Sequence, residues 1–125
     1  MPVIRTAEGR STETPNAVMT TLASPTLGGT GQSLWRVDMR PGAQGPLHVF
    51  DTEQIWSVVG GAATVELDGE TFGVGPGDTV VMPPAVQRQI TADPLAGFAA
   101  VVTAAGNARA GLPDGTDRGV PPWIA

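Results

Sequence analysis

The sequence offers few residues that could carry out acid–base or covalent chemistry, and one stretch holds the most suitable of them. His48 is the only histidine of the chain and lies in PGAQGPLHVFDTEQIWSVVG, residues 41–60. Because histidine is the side chain that exchanges protons near neutral pH without a shifted pKa, His48 is the first candidate for proton transfer. The chain lacks cysteine, tyrosine and lysine, which excludes thiol, phenol and Schiff-base chemistry. Carboxylates, arginines, hydroxyls and amides are the remaining candidates.

Two alternating segments predict the strands that would position His48. Proline and glycine precede it, and Gln54 then opens an apolar alternating run that ends on two glycines. Residues 34–40 also alternate, with apolar side chains on one face and charged side chains on the other. We therefore expect His48 to lie beside strands with one face turned into a pocket.

The turn residues predict an all-β fold. The chain has 17 glycines and 12 prolines among its 125 residues, which implies many tight turns. Asp68-Gly69 lies between two alternating runs and is a strong hairpin signal. Further short strands are expected at 79–82, 86–91 and 97–103, and no segment has a sustained helical period. This pattern is typical of a sandwich or a barrel, and both stay open at this point.

Composition limits the class of protein. A chain of 125 residues with 41% hydrophobic content can build one domain with a core. Its net charge of −5 argues against nucleic-acid binding, which requires basic clusters. The sequence has neither an apolar stretch of membrane-spanning length nor a basic segment followed by an apolar one at its N-terminus. We expect a cytoplasmic protein with no membrane and no nucleic-acid partner.

Two short motifs give the chain a resemblance to the small single-domain cupins, which have RmlC-like jelly-roll barrels. In the first, Gly42 is followed by AQGPL and then His48, where the family pattern has its first histidine. In the second, Gly77 is followed by DTVVM and Pro83, as in the family, and Ala85 replaces a glycine. The resemblance covers residues 32–104. It implies a double-stranded β-helix with no substantial helix.

The resemblance also implies a metal site, but the chain departs from it at most ligand positions. Phe50 stands where the family has a second histidine, Gln54 where it has a glutamate, and Arg88 where it has a third histidine. Glu53 is a poorer match than Gln54 because strand alternation would turn it away from His48. One imidazole and one amide cannot supply the ligands that a divalent ion needs, and arginine repels it. We expect no metal and no other cofactor.

Under the cupin register, one set of side chains would point into the barrel. We expect catalytic roles for His48 as proton carrier and for Arg88 and Gln54 as stabilisers of an oxyanion. Substrate contacts are expected from Trp35, Met39, Phe50, Trp56 and Ile90.

Structural roles are the alternative for each of these residues. His48 could simply hydrogen-bond within a polar patch, and Arg88 could pair with Glu53 or Asp51. Phe50 and Trp56 could be core residues, because aromatic side chains supply much of a small barrel's burial.

Three functions are compatible with this site. The first is a metal-independent enzyme that binds a small molecule bearing a carbonyl or carboxylate and catalyses isomerisation, cyclisation or elimination, as small cupins do in natural-product pathways. The second is a binding or sensing module without catalysis, which the shortage of titratable groups favours. The third is a metal-dependent cupin with an atypical site.

The two ends of the chain lie outside the motifs. We expect residues 1–125 to form one cupin domain with its core at 32–104. Residues 1–31 would form a loose arm with one strand near Val18–Leu22, and residues 105–125 a tail that packs on this barrel or on a partner. Since both ends contain apolar residues such as Met19 and Trp123, a homodimer in which an arm lies on the neighbour's edge strand is expected.

Overall fold

The computed structural model describes residues 3–125, which form twelve strands and one 3₁₀ turn at Thr6–Glu8. The strands are β1 (Arg10–Glu13), β2 (Val18–Ala23), β3 (Gln32–Met39), β4 (Val49–Phe50), β5 (Gln54–Gly61), β6 (Ala63–Leu67), β7 (Glu70–Val74), β8 (Thr79–Met82), β9 (Arg88–Ala92), β10 (Phe98–Ala105), β11 (Ala110–Gly111) and β12 (Asp117–Gly119). The predicted all-β class is confirmed. None of the described residues belongs to a helix long and apolar enough to cross a membrane.

The strands form two layers. One is a six-stranded antiparallel sheet in the order β1-β2-β3-β10-β5-β8. The other contains two three-stranded sheets, β7-β6-β9 and β12-β11-β4. Residues 44–48 run antiparallel to β9 and join these two sheets through isolated bridges, one of them between His48 and Arg88. The layers enclose the core as the predicted jelly roll does.

Alternation explains how β3 and its neighbours build the core. Trp35, Val37 and Met39 of β3 are buried, whereas Arg36 between them is exposed. Strand β10 lies between β3 and β5 and buries small alanines with one phenylalanine and one valine. Ala100 and Ala104, on the same face as that phenylalanine and valine, leave room for the large side chains of the neighbouring strands. The alternation predicted for residues 34–40 is confirmed.

Turn chemistry explains two of the connections. Asp68 and Gly69 both have positive φ, 50° and 82°, as a two-residue type I′ turn between β6 and β7 requires. The predicted hairpin is therefore confirmed. Gly61 has φ 64°, and a Cβ there would collide with the carbonyl oxygen of Gly97. This close approach explains why β5 ends on a glycine.

Both ends of the chain pack on its own barrel. β2 is the strand expected near Val18–Leu22, but β1 and β2 extend the six-stranded sheet, so the expectation of a loose arm is wrong. The hydroxyl of Thr21 donates to the carbonyl of Trp123 at 2.9 Å, and that of Ser24 donates to the carbonyl of Ala125 at 2.9 Å. Ile124 is fully buried. Of the two alternatives for the tail, the structure shows the one in which it packs on this barrel.

Ala85 is expected to carry conformational strain that glycine would relieve. Its φ of 65° lies in the left-handed region, where a Cβ costs about 1–2 kcal/mol. The greater freedom of glycine in the unfolded chain offsets about 0.4–1 kcal/mol of this. Ala85→Gly should therefore stabilise the protein by roughly 0.5–1 kcal/mol in urea denaturation. Ala96→Gly, in an exposed turn without positive φ, should destabilise it. A loss of stability in both variants would contradict the strain.

Candidate functional site

A cavity of about 480 Å³ opens between the two layers of the barrel. Its wall is mainly apolar and combines side chains of β2, β3, β5 and β9 with residues 45–50, the loop at 14–17 and the tail. A volume of this size is in the range of small-molecule sites. The lining residues are Thr14, Pro15, Asn16, Ala17, Met19, Trp35, Val37, Met39, Gly45, Pro46, His48, Phe50, Gln54, Trp56, Ile90, Ala110, Gly111, Leu112, Arg118, Pro121, Pro122 and Trp123.

The structure brings seven of the eight predicted site residues together around this cavity. Those seven are Trp35, Met39, His48, Phe50, Gln54, Trp56 and Ile90. Arg88 is buried beside them but does not line the cavity. The common location follows from strand alternation, because inward-facing positions of β3, β5 and β9 converge on one space. Their catalytic and binding roles stay predictions.

His48 is held with one ring nitrogen engaged and the other available. Its Nδ1 lies 2.7 Å from the carbonyl oxygen of Pro46, which can only accept a hydrogen bond, so Nδ1 carries the proton. In the neutral ring Nε2 then has a free lone pair, and the described residues offer it no hydrogen-bond partner. Burial lowers the pKa of His48, and the nearby positive charge of Arg88 lowers it further. At neutral pH this imidazole is therefore a base.

Gln54 is buried, 1% exposed, and only partly satisfied. Its Oε1 accepts a hydrogen bond from Trp56 Nε1 at 3.0 Å, and because an indole N–H can only donate, this contact fixes the orientation of the amide. Nε2 has no partner among the described residues. A buried donor left unpaired costs about 1–3 kcal/mol. An acceptor oxygen on a bound molecule would recover this free energy.

Arg88 packs behind the cavity wall. It is 1% exposed, and its Nη2 donates to the Pro83 carbonyl oxygen at 2.8 Å, while Nε donates to that of Val86 at 3.3 Å. Its guanidinium carbon lies 5.5 Å from the centre of the Phe50 ring. Arg88 is thus buried on the inner face of β9 together with Ile90, as the register predicts, but it lies behind Phe50 and is not among the residues that line the cavity.

The charge of Arg88 has no acidic partner. Among residues 3–125 the ion pairs are Arg36–Asp38 and Arg109–Asp117 only, so pairing of Arg88 with Glu53 or Asp51 does not occur. Burial lowers the pKa of Arg88 to about 10, which still leaves it charged at neutral pH. Its Nη1 has no hydrogen-bond partner in the described chain. A buried, uncompensated positive charge thus lies next to the cavity.

Phe50 connects these two polar groups. Its ring packs edge-to-face against the His48 ring, with centroids 5.1 Å apart, and its face is in cation–π distance of Arg88. The ring is buried and also lines the cavity. Phe50 therefore serves both as a core residue and as part of the wall.

The donor set does not fit the divalent metal ion that the fold family implies. Of the four family ligand positions, His48 alone carries a strong donor, and the amide oxygen of Gln54 is already engaged by Trp56. Phe50 has no donor atom and Arg88 is cationic. The described residues contain no cluster of three or more histidine, cysteine, aspartate or glutamate side chains. We therefore derive no chemical step through a metal.

Sequence reasoning missed the part of the wall that comes from the two ends of the chain. The loop at 14–17, the tail residues 110–112 and the Pro121–Pro122–Trp123 segment all line the cavity. Arg118 of β12 also lies in the wall and was not among the predicted site residues. The apolar character of both ends is a usable signal that they are buried, but it leaves open whether this barrel or a neighbouring subunit buries them. No motif pointed to Arg118.

Comparisons with known proteins agree with this architecture. The family model described as "Cupin domain" matches residues 35–93. A search of curated proteins gives no match. The match covers 59 of the 125 residues, and together with the jelly-roll fold it supports a small cupin domain.

Several solved structures share the fold. An RmlC-like cupin from Shewanella frigidimarina is 19% identical, with 82% of this chain and 88% of that chain covered and a TM-score of 0.71. The polyketide cyclase RemF from Streptomyces resistomycificus is 20% identical over 84% of this chain and 79% of that chain, with a TM-score of 0.72. KdgF from Halomonas sp. is 25% identical over 82% and 93%, with a TM-score of 0.66. At these identities the likeness shows the fold.

The mismatch between donor set and metal predicts how metal binding should respond to substitution. After dialysis the wild-type protein should retain no stoichiometric Zn²⁺. Placing ligands at the three departing positions (Phe50→His, Gln54→Glu and Arg88→His together) should produce binding of about one equivalent, because three imidazoles and a carboxylate form a complete donor set. Elemental analysis measures both. One equivalent of metal in the wild type that is lost in His48→Ala would contradict our reading of the site.

Proposed function

We propose that this small cupin domain binds a mainly apolar organic molecule bearing a carbonyl group and transfers a proton on it. The observation that carries the proposal is the neutral His48 imidazole, whose Nδ1–H is held by Pro46 while Nε2 stays free at the wall of an apolar cavity. Isomerisation, cyclisation and elimination next to a carbonyl all begin with such a proton transfer. No step requires a metal or an organic cofactor.

His48 would act first as base and then as acid. Nε2 takes the proton from the carbon next to the carbonyl, and the electron pair of that C–H bond moves to form an enolate whose charge lies on oxygen. The resulting imidazolium returns the proton to the same carbon or to another one, which gives exchange or isomerisation. The hydrogen bond from Nδ1–H to the carbonyl oxygen of Pro46 fixes the orientation of the ring during both proton transfers.

Gln54 and Arg88 would stabilise the enolate in different ways. The unpaired Nε2 of Gln54 is a donor for the developing oxyanion, and a preorganised donor of this kind contributes about 10²–10³-fold to rate. Arg88 does not line the cavity, so we assign it a long-range effect: its buried charge favours negative charge nearby. The same charge helps to keep His48 neutral.

Two structural neighbours support catalysis on small organic molecules. RemF is described as a polyketide cyclase, and a protein of the same fold from Acidithiobacillus ferrooxidans as a putative sugar phosphate isomerase. Ring closure and isomerisation both fit the proton-transfer site proposed here. By analogy with RemF, a role in natural-product biosynthesis is the setting we propose.

A binding module without catalysis is the second candidate. The observation that favours it is the scarcity of groups that can exchange protons in the cavity wall, where His48 is the only histidine and no carboxylate occurs among the described lining residues. Such a module would use the same apolar cavity and the same Gln54 donor. It would bind without turning the ligand over.

Hydrogen–deuterium exchange on the bound molecule tests catalysis directly. Compounds released from the purified protein by denaturation are identified by mass spectrometry, and those with a carbonyl are incubated with fresh protein in D₂O. We expect deuterium to enter next to the carbonyl, and His48→Asn to slow this by about 10²-fold or more. Asparagine preserves a donor for Pro46, so affinity should change by only a few-fold.

A second variant serves as the matched test of the oxyanion donor. Gln54→Glu keeps the shape and the acceptor for Trp56 but replaces the Nε2 donor by an oxygen, and it should slow exchange by about 10²-fold. If the wild type binds the compound but catalyses no exchange above buffer, the binding module is correct. If His48→Asn exchanges as fast as the wild type, His48 is not the base.

The expected single-domain boundaries, homodimer and cytoplasmic location stay predictions. Because β1 and β2 already pair within the chain, an arm donated to a neighbour is no longer the basis for the dimer. The contact would have to use another surface. A sedimentation mass of twice 12.8 kDa would support the dimer.

A further inference from the structure

The cavity of the proposed function has an uncompensated positive charge. The described lining residues include no aspartate and no glutamate, although the chain contains 12 acidic residues and has a net charge of −5. Arg118 lines the cavity, and Arg88 is buried against Phe50 beside it. Both arginines lack an ion pair with any described residue. The acidic residues of the described chain therefore lie outside the wall of this cavity.

Arg118 is placed at the opening of the cavity by the β12 strand. The residue is exposed and yet contributes to the wall, so it lies where the cavity meets solvent. Its neighbour Asp117 is on the other side of the strand and is occupied, since Arg109 Nη2 donates to it at 2.7 Å. Asp114 accepts two hydrogen bonds from Thr116, which lower the pKa of its carboxyl group. The charge of Arg118 lowers this pKa further, but the two residues form no ion pair. The guanidinium is thus left free for a ligand.

The position of β12 is fixed, through β11, by the strand that contains Phe50. Ala110 of β11 pairs with Phe50, and β11 pairs in turn with β12. The ribbon that carries Arg118 is therefore an extension of the segment that carries His48 and Phe50. A molecule in the cavity could contact both.

We propose that the ligand is an organic carboxylate with an apolar, ring-containing body, and that Arg118 binds its carboxylate at the mouth of the cavity. This inference rests on the proposed function and adds the substrate class and a specificity-determining residue. The planar guanidinium matches a carboxylate through two parallel hydrogen bonds. The aromatic side chains of Trp35, Trp56 and Trp123 in the wall suit a ring. The reacting carbonyl is then a separate group that reaches Gln54.

A pair of fluorescent probes separates the charge from the apolar body. 1-Anilinonaphthalene-8-sulfonate and N-phenyl-1-naphthylamine share their aromatic rings, and only the first carries an anionic group. We expect the wild type to bind the anionic probe about fivefold or more tightly than the neutral one, because a partly exposed ion pair contributes about this much to affinity. Arg118→Gln should abolish this preference and leave the affinity for the neutral probe unchanged. Arg118→Lys, which keeps the charge, should retain most of it.

Two control variants make the outcomes distinguishable. Arg36→Gln removes the same charge on the outer face of the sheet and should leave both affinities within twofold of wild type. Met19→Trp fills the cavity and should weaken binding of both probes. Equal affinities of the two probes, or an Arg118→Gln variant with unchanged preference, would overturn the carboxylate proposal alone. No binding of either probe to the wild type, or binding that Met19→Trp leaves intact, would overturn the proposed cavity function as well.

Discussion

The backbone pair between His48 and Arg88 is the contact on which the site depends. The amide of each residue donates to the carbonyl of the other, at 3.1 and 3.0 Å, and no regular strand pairing joins the two three-stranded sheets at this point. The pair holds residues 44–50 beside β9 and closes the second layer of the barrel. Phe50, two residues on, then pairs with β11 and accepts a hydrogen bond from the Ala85 amide at 2.8 Å. The tail that completes the cavity is attached to the barrel through the pairing of Phe50 with β11.

The polar groups of the site are not arranged as ligands of a metal ion. In a metal-binding cupin the corresponding positions would carry ligands, whereas here they carry an aromatic ring, an amide and a buried cation. Gln54 and Arg88 each have a donor atom without a partner, and such atoms are costly in a protein interior. An acceptor oxygen on a ligand could pair with Gln54 Nε2, and the nearby charge of Arg88 would favour negative charge on that ligand. This replacement of metal ligands by hydrogen-bond donors is the reason why we propose an anionic ligand for the cavity and not a metal cation.

Much of the fold could be predicted because it is written in short-range patterns. The alternation in residues 34–40 and the Asp68-Gly69 turn depend on local geometry, and the structure confirms both predictions. The inward positions of Gln54, Trp56 and Ile90 followed from the motif register. What alternation predicts is the face of a strand, however, and not where a long side chain ends. Arg88 starts on the inner face, but its guanidinium turns to the carbonyl of Pro83.

The cavity wall contributed by the chain ends could not be predicted from the sequence. Arg118 and Trp123 lie 70 and 75 residues from His48 in the chain, within a turn-rich tail that has no periodic pattern. Their placement depends on long-range contacts, such as the hydrogen bond from Thr21 to the Trp123 carbonyl. The apolar character of the tail indicated that it is buried. Only the fold shows that the surface burying it belongs to the same chain.

The central claim is that His48 is a neutral base with its proton on Nδ1, and ¹⁵N NMR of histidine-labelled protein measures this directly. As the chain has one histidine, the spectrum contains a single imidazole. We expect Nδ1 to be protonated and Nε2 unprotonated at neutral pH. Because burial lowers the pKa, the ring should become charged only as the pH falls below 6.5. A proton on Nε2 in the neutral ring, or a titration midpoint above 6.5, would contradict the account.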